Sequence, residues 1–144
     1  MNKVILFILI LSLFFSCTMD IMNGFRFDSP RFKDYMEACE WVHDNIEYRK
    51  TKGIIDPQTT LDRGYGDCGD MALLLMAIMG YQKGMYYTYY VSLKTETEGI
   101  NHAVIEADGW FYDPTAGKRS HNPGKIDHKK DYYKAMQCGY SDYQ

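Results

Sequence analysis

Between residues 32 and 46 the apolar positions Phe32, Tyr35, Met36, Cys39, Val42 and Ile46 recur mainly at steps of three and four. That spacing places them on one face of a helix. Ser29-Pro30 supplies an N-cap and a proline at the first helical position, so the helix is expected to begin there and to end near Tyr48. Residues 50–66 read as a loop, with Asp56-Pro57 and Gly64-Tyr65-Gly66 as turn signals. From Cys68 to Gly80 the chain is apolar on every side, which predicts a central, buried helix. Gly80 and Gly84 are expected to close it. The pattern then turns strand-like over Tyr86–Lys94, Asn101–Ala107 and Trp110–Asp113. The Asp108-Gly109 dipeptide between the last two predicts a tight hairpin. Beyond Pro114 the chain is polar, with a turn at Asn122-Pro123-Gly124 and a short terminal helix expected near Lys129–Met136. Helices followed by an antiparallel run of strands make an α+β protein.

The first residues follow a different logic. Met1-Asn2-Lys3 carries one positive charge, and Val4–Phe15 is apolar apart from Ser12. A basic start, a short apolar run and the small residue Ser16 before a polar chain describe an export signal. The run is about a dozen residues, short of the ~20 that cross a membrane. Cys17 directly after Ser16 resembles a bacterial lipobox, although Phe14 and Phe15 stand where Leu and a small residue are usual. The expected organisation is therefore a lipoprotein-type signal over residues 1–16, a tether over 17–28 and one domain over 29–144. Cys17 would carry the lipid and anchor the protein to the membrane of the cell envelope. An ordinary signal or an uncleaved anchor would export the domain equally and change only its tether.

The chain has 144 residues, 46% hydrophobic and 24% charged, enough for one domain with a real core. Its formal net charge is −3 and no basic stripe is visible, which disfavours a nucleic-acid partner. Thirteen tyrosines suit a half-buried sheet surface or a substrate groove. Of the four cysteines, Cys39 and Cys138 could pair in an oxidising compartment; Cys39 also fits the apolar stripe as a small hydrophobe.

Cys68 stands at the first turn of the buried helix, after Gly64-Tyr65-Gly66-Asp67. A helix N-terminus offers partial positive charge and unpaired N–H groups. Both favour a thiolate, and the N–H groups suit the oxyanion formed when a carbonyl is attacked. If Asp108-Gly109 is a two-residue turn, Ala107 pairs with Trp110 and Val104 with Asp113. His102, Val104 and Asp113 then share one face. His102 and Asp113 become diagonal neighbours at a Cβ separation of roughly 7–8 Å, close enough for an Asp-to-imidazole hydrogen bond. Such a bond orients the ring and stabilises its cation. A structural cysteine, a packed histidine and an Asp-Pro turn are the plainer readings of the same residues. A metal site of His102, Asp113 and Asp70 is a further one. It is disfavoured because His43, His121 and His128 show no ligand spacing.

These segments resemble the transglutaminase-like superfamily. The carrying motifs are Trp41-Val42-His43-Asp44-Asn45-Ile46-Glu47-Tyr48, Gly66-Asp67-Cys68-Gly69-Asp70-Met71-Ala72, His102-Ala103-Val104-Ile105-Glu106 and Trp110-Phe111-Tyr112-Asp113-Pro114-Thr115, in that order. The resemblance covers about residues 31–117. It implies a papain-like core in which helices pack on an antiparallel sheet. It also implies acyl chemistry through a thioester, with Cys68, His102 and Asp113 as the catalytic triad and no cofactor or metal ion. Gln58 lies ten residues before Cys68 and receives no assignment as an oxyanion donor.

The leading expectation is an exported cysteine hydrolase acting on peptide or amide bonds of a peptide or protein substrate. A mature chain starting at Cys17 is minimal for the fold and has no acidic loop resembling a calcium site. Hydrolysis is therefore expected over crosslinking. Acyl transfer to amines and an inactive binding or scaffold lipoprotein are the alternatives. The substrate and the oligomeric state stay open.

Overall fold

The computed structural model describes residues 29–83, 88–97 and 101–130. The expected signal, the tether, Cys17 and Cys138 lie outside them. Among the described residues no helix is long and apolar enough to cross a membrane.

Helix α1 spans Tyr35–Asn45, and its N-cap is Asp34, not Ser29. The Asp34 carboxylate accepts from the amides of Met36 and Glu37, both at 3.0 Å. It takes two orphan donors at once and carries the charge that a helix N-terminus favours, so the start moves five residues along. Tyr35, Ala38, Cys39 and Val42 form its buried face. The helix ends before the expected Tyr48, because Ile46 adopts extended backbone. This frees β1 (Glu47–Tyr48) to pair in parallel with β2 (Tyr65–Gly66).

The expected loop over residues 50–66 contains a second helix, α2 (Pro57–Arg63). Asp56 caps it, accepting from the Thr59 amide at 3.0 Å, and Gly64 closes it in the left-handed region. The caps were written in the sequence as Asp-Pro and Gly. Seven residues, of which only Pro57 and Thr60 are buried, are too few to show an amphipathic period.

Helix α3 (Cys68–Lys83) runs through Gly80 rather than stopping there. Met71 to Met76, Ile78 and Met79 are all at most 1% exposed. The uniform apolar pattern has a direct cause: α1, α2 and the sheet all pack against this helix.

The sheet has five antiparallel strands in the order β6-β5-β4-β3-β7. They are β3 (Tyr89–Lys94), β4 (Asn101–Ala107), β5 (Trp110–Asp113), β6 (Lys118–Ser120) and β7 (Ile126–Lys130). The β4–β5 register is the expected one, with Ala107 opposite Trp110 and Ile105 opposite Tyr112. Asp108 and Gly109 take φ of 51° and 76°, the left-handed pair that lets a two-residue turn match the strand twist. Ala103, Ile105, Ala107 and Tyr112 join the helices in the main core. Val91, Leu93 and Val104 form a second cluster with Phe111. Burial on both faces explains why Ala103-Val104-Ile105 is apolar without alternation.

Two strands of this sheet, like the short β1 and β2, have no counterpart among the expected elements. β6 and β7 are largely exposed, so no hydrophobic alternation marks them; they form because the backbones of β5 and β3 offer hydrogen bonds. Lys129 and Lys130 therefore belong to a strand, where a terminal helix was expected to begin; the remainder of that helix lies outside the described residues. Lys129 also pairs with Glu106 across the sheet.

Candidate active site

Cys68 is the first residue of α3, and the turn that presents it is braced on all sides. Asp67 Oδ1 accepts from the amides of Gly69 at 2.9 Å and Asp70 at 3.2 Å. Asp70 Oδ2 reaches back to the Asp67 amide at 3.1 Å. The two aspartates thus form a reciprocal capping box around Cys68. Asp70 is 0% exposed. Its Oδ1 also accepts from the Ile55 amide at 2.7 Å, and Thr51 Oγ1 lies 2.8 Å from its Oδ2 and 3.0 Å from Asp67 Oδ2. Burial raises the Asp70 carboxyl above its ordinary range, and the neighbouring Asp67 charge adds to that; the bonds from Ile55, Thr51 and Asp67 work the other way. A Cβ on Gly66 would meet Asp70 Cβ at 2.7 Å, so this approach requires glycine.

His102 is the second residue of β4. Its Nε2 is 2.8 Å from Asp113 Oδ2, the contact that hairpin register predicts. The other carboxylate oxygen, Asp113 Oδ1, accepts from the amides of Thr115 at 3.0 Å and Ala116 at 3.2 Å. Both oxygens are therefore fixed. His43 on α1 holds the same loop, its Nδ1 lying 3.0 Å from the Thr115 carbonyl.

The imidazole is pushed up from 6.5 to about 10, first by its bond to Asp113 and next by its bond to Cys68. With Nε2 committed to Asp113, Nδ1 is the ring atom left for the sulfur. Burial pushes the Asp113 carboxyl up, but the bond and charge of His102 and the two backbone amides outweigh it and hold it below its usual range. The three expected residues are thus brought together in the order Cys68, His102, Asp113.

These shifts set a pH window for stability. His102 binds its proton more tightly folded than unfolded, so its contribution is full below pH 6.5 and is lost as pH rises toward about 10. Asp113 is shifted down, so its contribution is full above the ordinary carboxylate value of 3.8 and is lost in more acidic solution. The difference in thermal midpoint between wild type and His102→Gln is expected to be largest between these limits and to shrink steadily from pH 6.5 to 10. A difference that stays flat over that range would remove the pair's role in stability.

Other side chains are placed away from the chemistry. Gln58 Nε2 donates to Asp62 Oδ1 at 2.7 Å on α2, so its amide is engaged on its own helix. Asp70 serves the helix cap rather than joining His102 and Asp113 as a ligand set. Cys39 is a buried free thiol, pushed up to about 12 by burial and then by the Asp113 charge. Tyr48, 55% exposed, stands near Cys68 and Asp67; its phenol is raised by burial and by both of their charges. The bracing residues Thr51, Asp67 and Asp70, and His43 against the Asp113 loop, escaped the sequence reading. For Asp67 and Asp70 a signal existed, an acidic residue three places after another at a helix start.

A protein-family model described as the transglutaminase-like superfamily matches residues 22–114. No curated protein matches the chain. The match covers well over half of the sequence and includes Cys68, His102 and Asp113, and the folded chain has helices on an antiparallel sheet. The chain belongs to the transglutaminase-like superfamily, a grouping of cysteine hydrolases and transferases.

Proposed function

We propose that this protein is a cysteine hydrolase that cleaves peptide or amide bonds through a thioester, with Cys68 as nucleophile, His102 as acid and base, and Asp113 as the group that orients the ring. The observation that carries this reading is the 2.8 Å bond between His102 and Asp113, with Cys68, at the head of a buried helix, close enough to the same imidazole to help raise it. Cys68 sulfur attacks the carbonyl carbon, and the carbon–oxygen π pair moves to oxygen. Collapse of that oxyanion expels the amine, which takes the proton from His102. Water, deprotonated by the same imidazole, then attacks the thioester and releases the acid. Among the described residues nothing accepts the Cys68 N–H, which leaves that amide to hold the oxyanion.

Hydrolysis is preferred over transfer to amines because the site is open. Cys68 is partly exposed, and the His102 side chain is 29% exposed. Keeping a thioester for another acceptor requires water to be shut out. Export to the cell envelope, with a lipid on Cys17, belongs to the same proposal and rests on the sequence of residues 1–17.

The test uses iodoacetamide on protein in which Cys17 and Cys138 are serine. Cys39 is silent there because its buried thiol is pushed to about 12. Cys68 is expected to alkylate at pH 6 at least about tenfold faster than an exposed peptide thiol, and His102→Ala is expected to abolish that advantage. Equal rates for both proteins and the peptide would leave a transglutaminase-like fold without a working nucleophile.

A further inference from the structure

We infer that Asp70 is a positioning residue for acyl transfer, acting through the first turn of α3 to keep the Cys68 amide available to the oxyanion. The inference rests on the catalytic reading above and extends it to a side chain that touches neither sulfur nor substrate.

The first turn of a helix has several N–H groups without intrahelical partners. Here Gly69 and Asp70 donate to Asp67 Oδ1 at 2.9 and 3.2 Å. Met71 donates to the Asp67 carbonyl at 3.0 Å, and Asp67 donates to Asp70 Oδ2 at 3.1 Å. Among the described residues only the Cys68 amide in this stretch has no acceptor. Selection of that one amide depends on where Asp67 sits, and Asp70 sets this from below. Its carboxylate ties the Asp67 backbone to the 51–55 segment, through the Ile55 amide at 2.7 Å and the Thr51 hydroxyl at 2.8 Å. Asp70 occupies the space that a side chain at position 66 would need: a Cβ on Gly66 would lie 2.7 Å from the Asp70 Cβ. The arrangement is a brace in which Oδ1 accepts from Ile55 and Oδ2 lies within bonding distance of Asp67 N and Thr51 Oγ1, on a side chain that is 0% exposed. If it loosens, Asp67 turns and the Cys68 N–H leaves the direction in which the oxyanion forms.

Two reactions of the same sulfur separate this role from fold support. Iodoacetamide is attacked at a saturated carbon: the C–S bond forms, iodide leaves with its electron pair, and no oxyanion appears. With p-nitrophenyl acetate the sulfur adds to a carbonyl, an oxyanion forms, and its collapse expels p-nitrophenolate and leaves an acetyl thioester. In Asp70→Asn the amide nitrogen cannot accept. It places a donor where Oδ2 received the Asp67 amide, or, if flipped, where Oδ1 received Ile55. Acylation is expected to fall about 10–100-fold while alkylation stays within about twofold, a smaller loss than the 10²–10³ that follows removal of an oxyanion donor. Thr51→Val removes one bond of the same brace and is expected to lower the ratio of the two rates less; it also serves if Asp70→Asn does not fold.

A fall in that ratio in either folded variant supports the inference. An unchanged ratio in the folded variants, with the rates moving together or not at all, overturns it and leaves the catalytic reading intact. A wild type that p-nitrophenyl acetate does not acylate overturns the catalytic reading and this inference with it.

Discussion

In the His102→Ala protein, acylation of Cys68 by p-nitrophenyl acetate is expected to slow by about 10²–10⁴-fold, the range that a positioned acid–base group contributes. At about 1.4 kcal/mol per factor of ten, that is roughly 3–5.5 kcal/mol of transition-state stabilisation. In protein whose Cys17 and Cys138 are serine, Cys68→Ala should remove the p-nitrophenolate burst altogether, because Cys39 is buried and holds its proton up to about 12. Asp113→Asn is expected to give a large but lesser loss. Its amide can mimic the carboxylate's shape, but it cannot stabilise the imidazolium, and it lets the ring choose the wrong tautomer. The discriminating variant is the double one. If Asp113 acts by orienting His102, whose Nε2 lies 2.8 Å from its Oδ2, His102→Ala with Asp113→Asn should be no slower than His102→Ala alone. Losses that multiply would mean that Asp113 acts on its own, and the triad would have to be abandoned for two separate sites. Stopped-flow absorbance of p-nitrophenolate, with protein in excess of reagent, measures the acylation step directly.

Leu75→Ala is expected to cost about 2–5 kcal/mol of folding stability, the range for emptying a leucine-sized space in a core. Leu75 is 0% exposed, midway along a helix packed by α1, α2 and the sheet. The structure around it is held from several directions and cannot collapse inward freely. Against a typical total of about 5–15 kcal/mol, such a loss brings the fold near its threshold. Urea titration followed by tryptophan fluorescence would show the midpoint falling with an unchanged slope. For contrast, the Arg49–Glu47 pair is exposed on both sides, and Glu47→Ala should change stability by at most about 1 kcal/mol. If Leu75→Ala cost no more than Glu47→Ala, α3 would not be the central helix. Because α3 begins at Cys68, a loss of its packing would also carry Cys68 away from His102, and alkylation at pH 6 should decline in step with the unfolded fraction.

Several features could be read from residue order because their causes are local. Asp108-Gly109 names its own turn, the turn sets the register, and the register brings His102 to Asp113. The apolar run after Cys68 names a helix with no exposed side. Other features have causes that lie far away in sequence. Ser29-Pro30 and Asp34 are both sound helix starts; the winner was the residue adjacent to the stripe that meets the core. β6 and β7 carry no hydrophobic signature, since what orders them is the free backbone of β5 and β3.

The same division runs through the site. The sequence by itself determined the place of Cys68 at a helix start, His102 and Asp113 on one hairpin face, and the order of all three. A helix period, a turn dipeptide and a two-residue alternation act over a few positions and need no partner. Only the tertiary structure decided what Asp70 does. In sequence it was one more carboxylate near Cys68, named only as a member of a disfavoured metal set. Folded, it is buried beside Gly66 and accepts hydrogen bonds from Thr51, Ile55 and Asp67. A carboxylate's role is set by which donors surround it, and donors from residues 51 to 67 meet at one point only once the chain has closed around them.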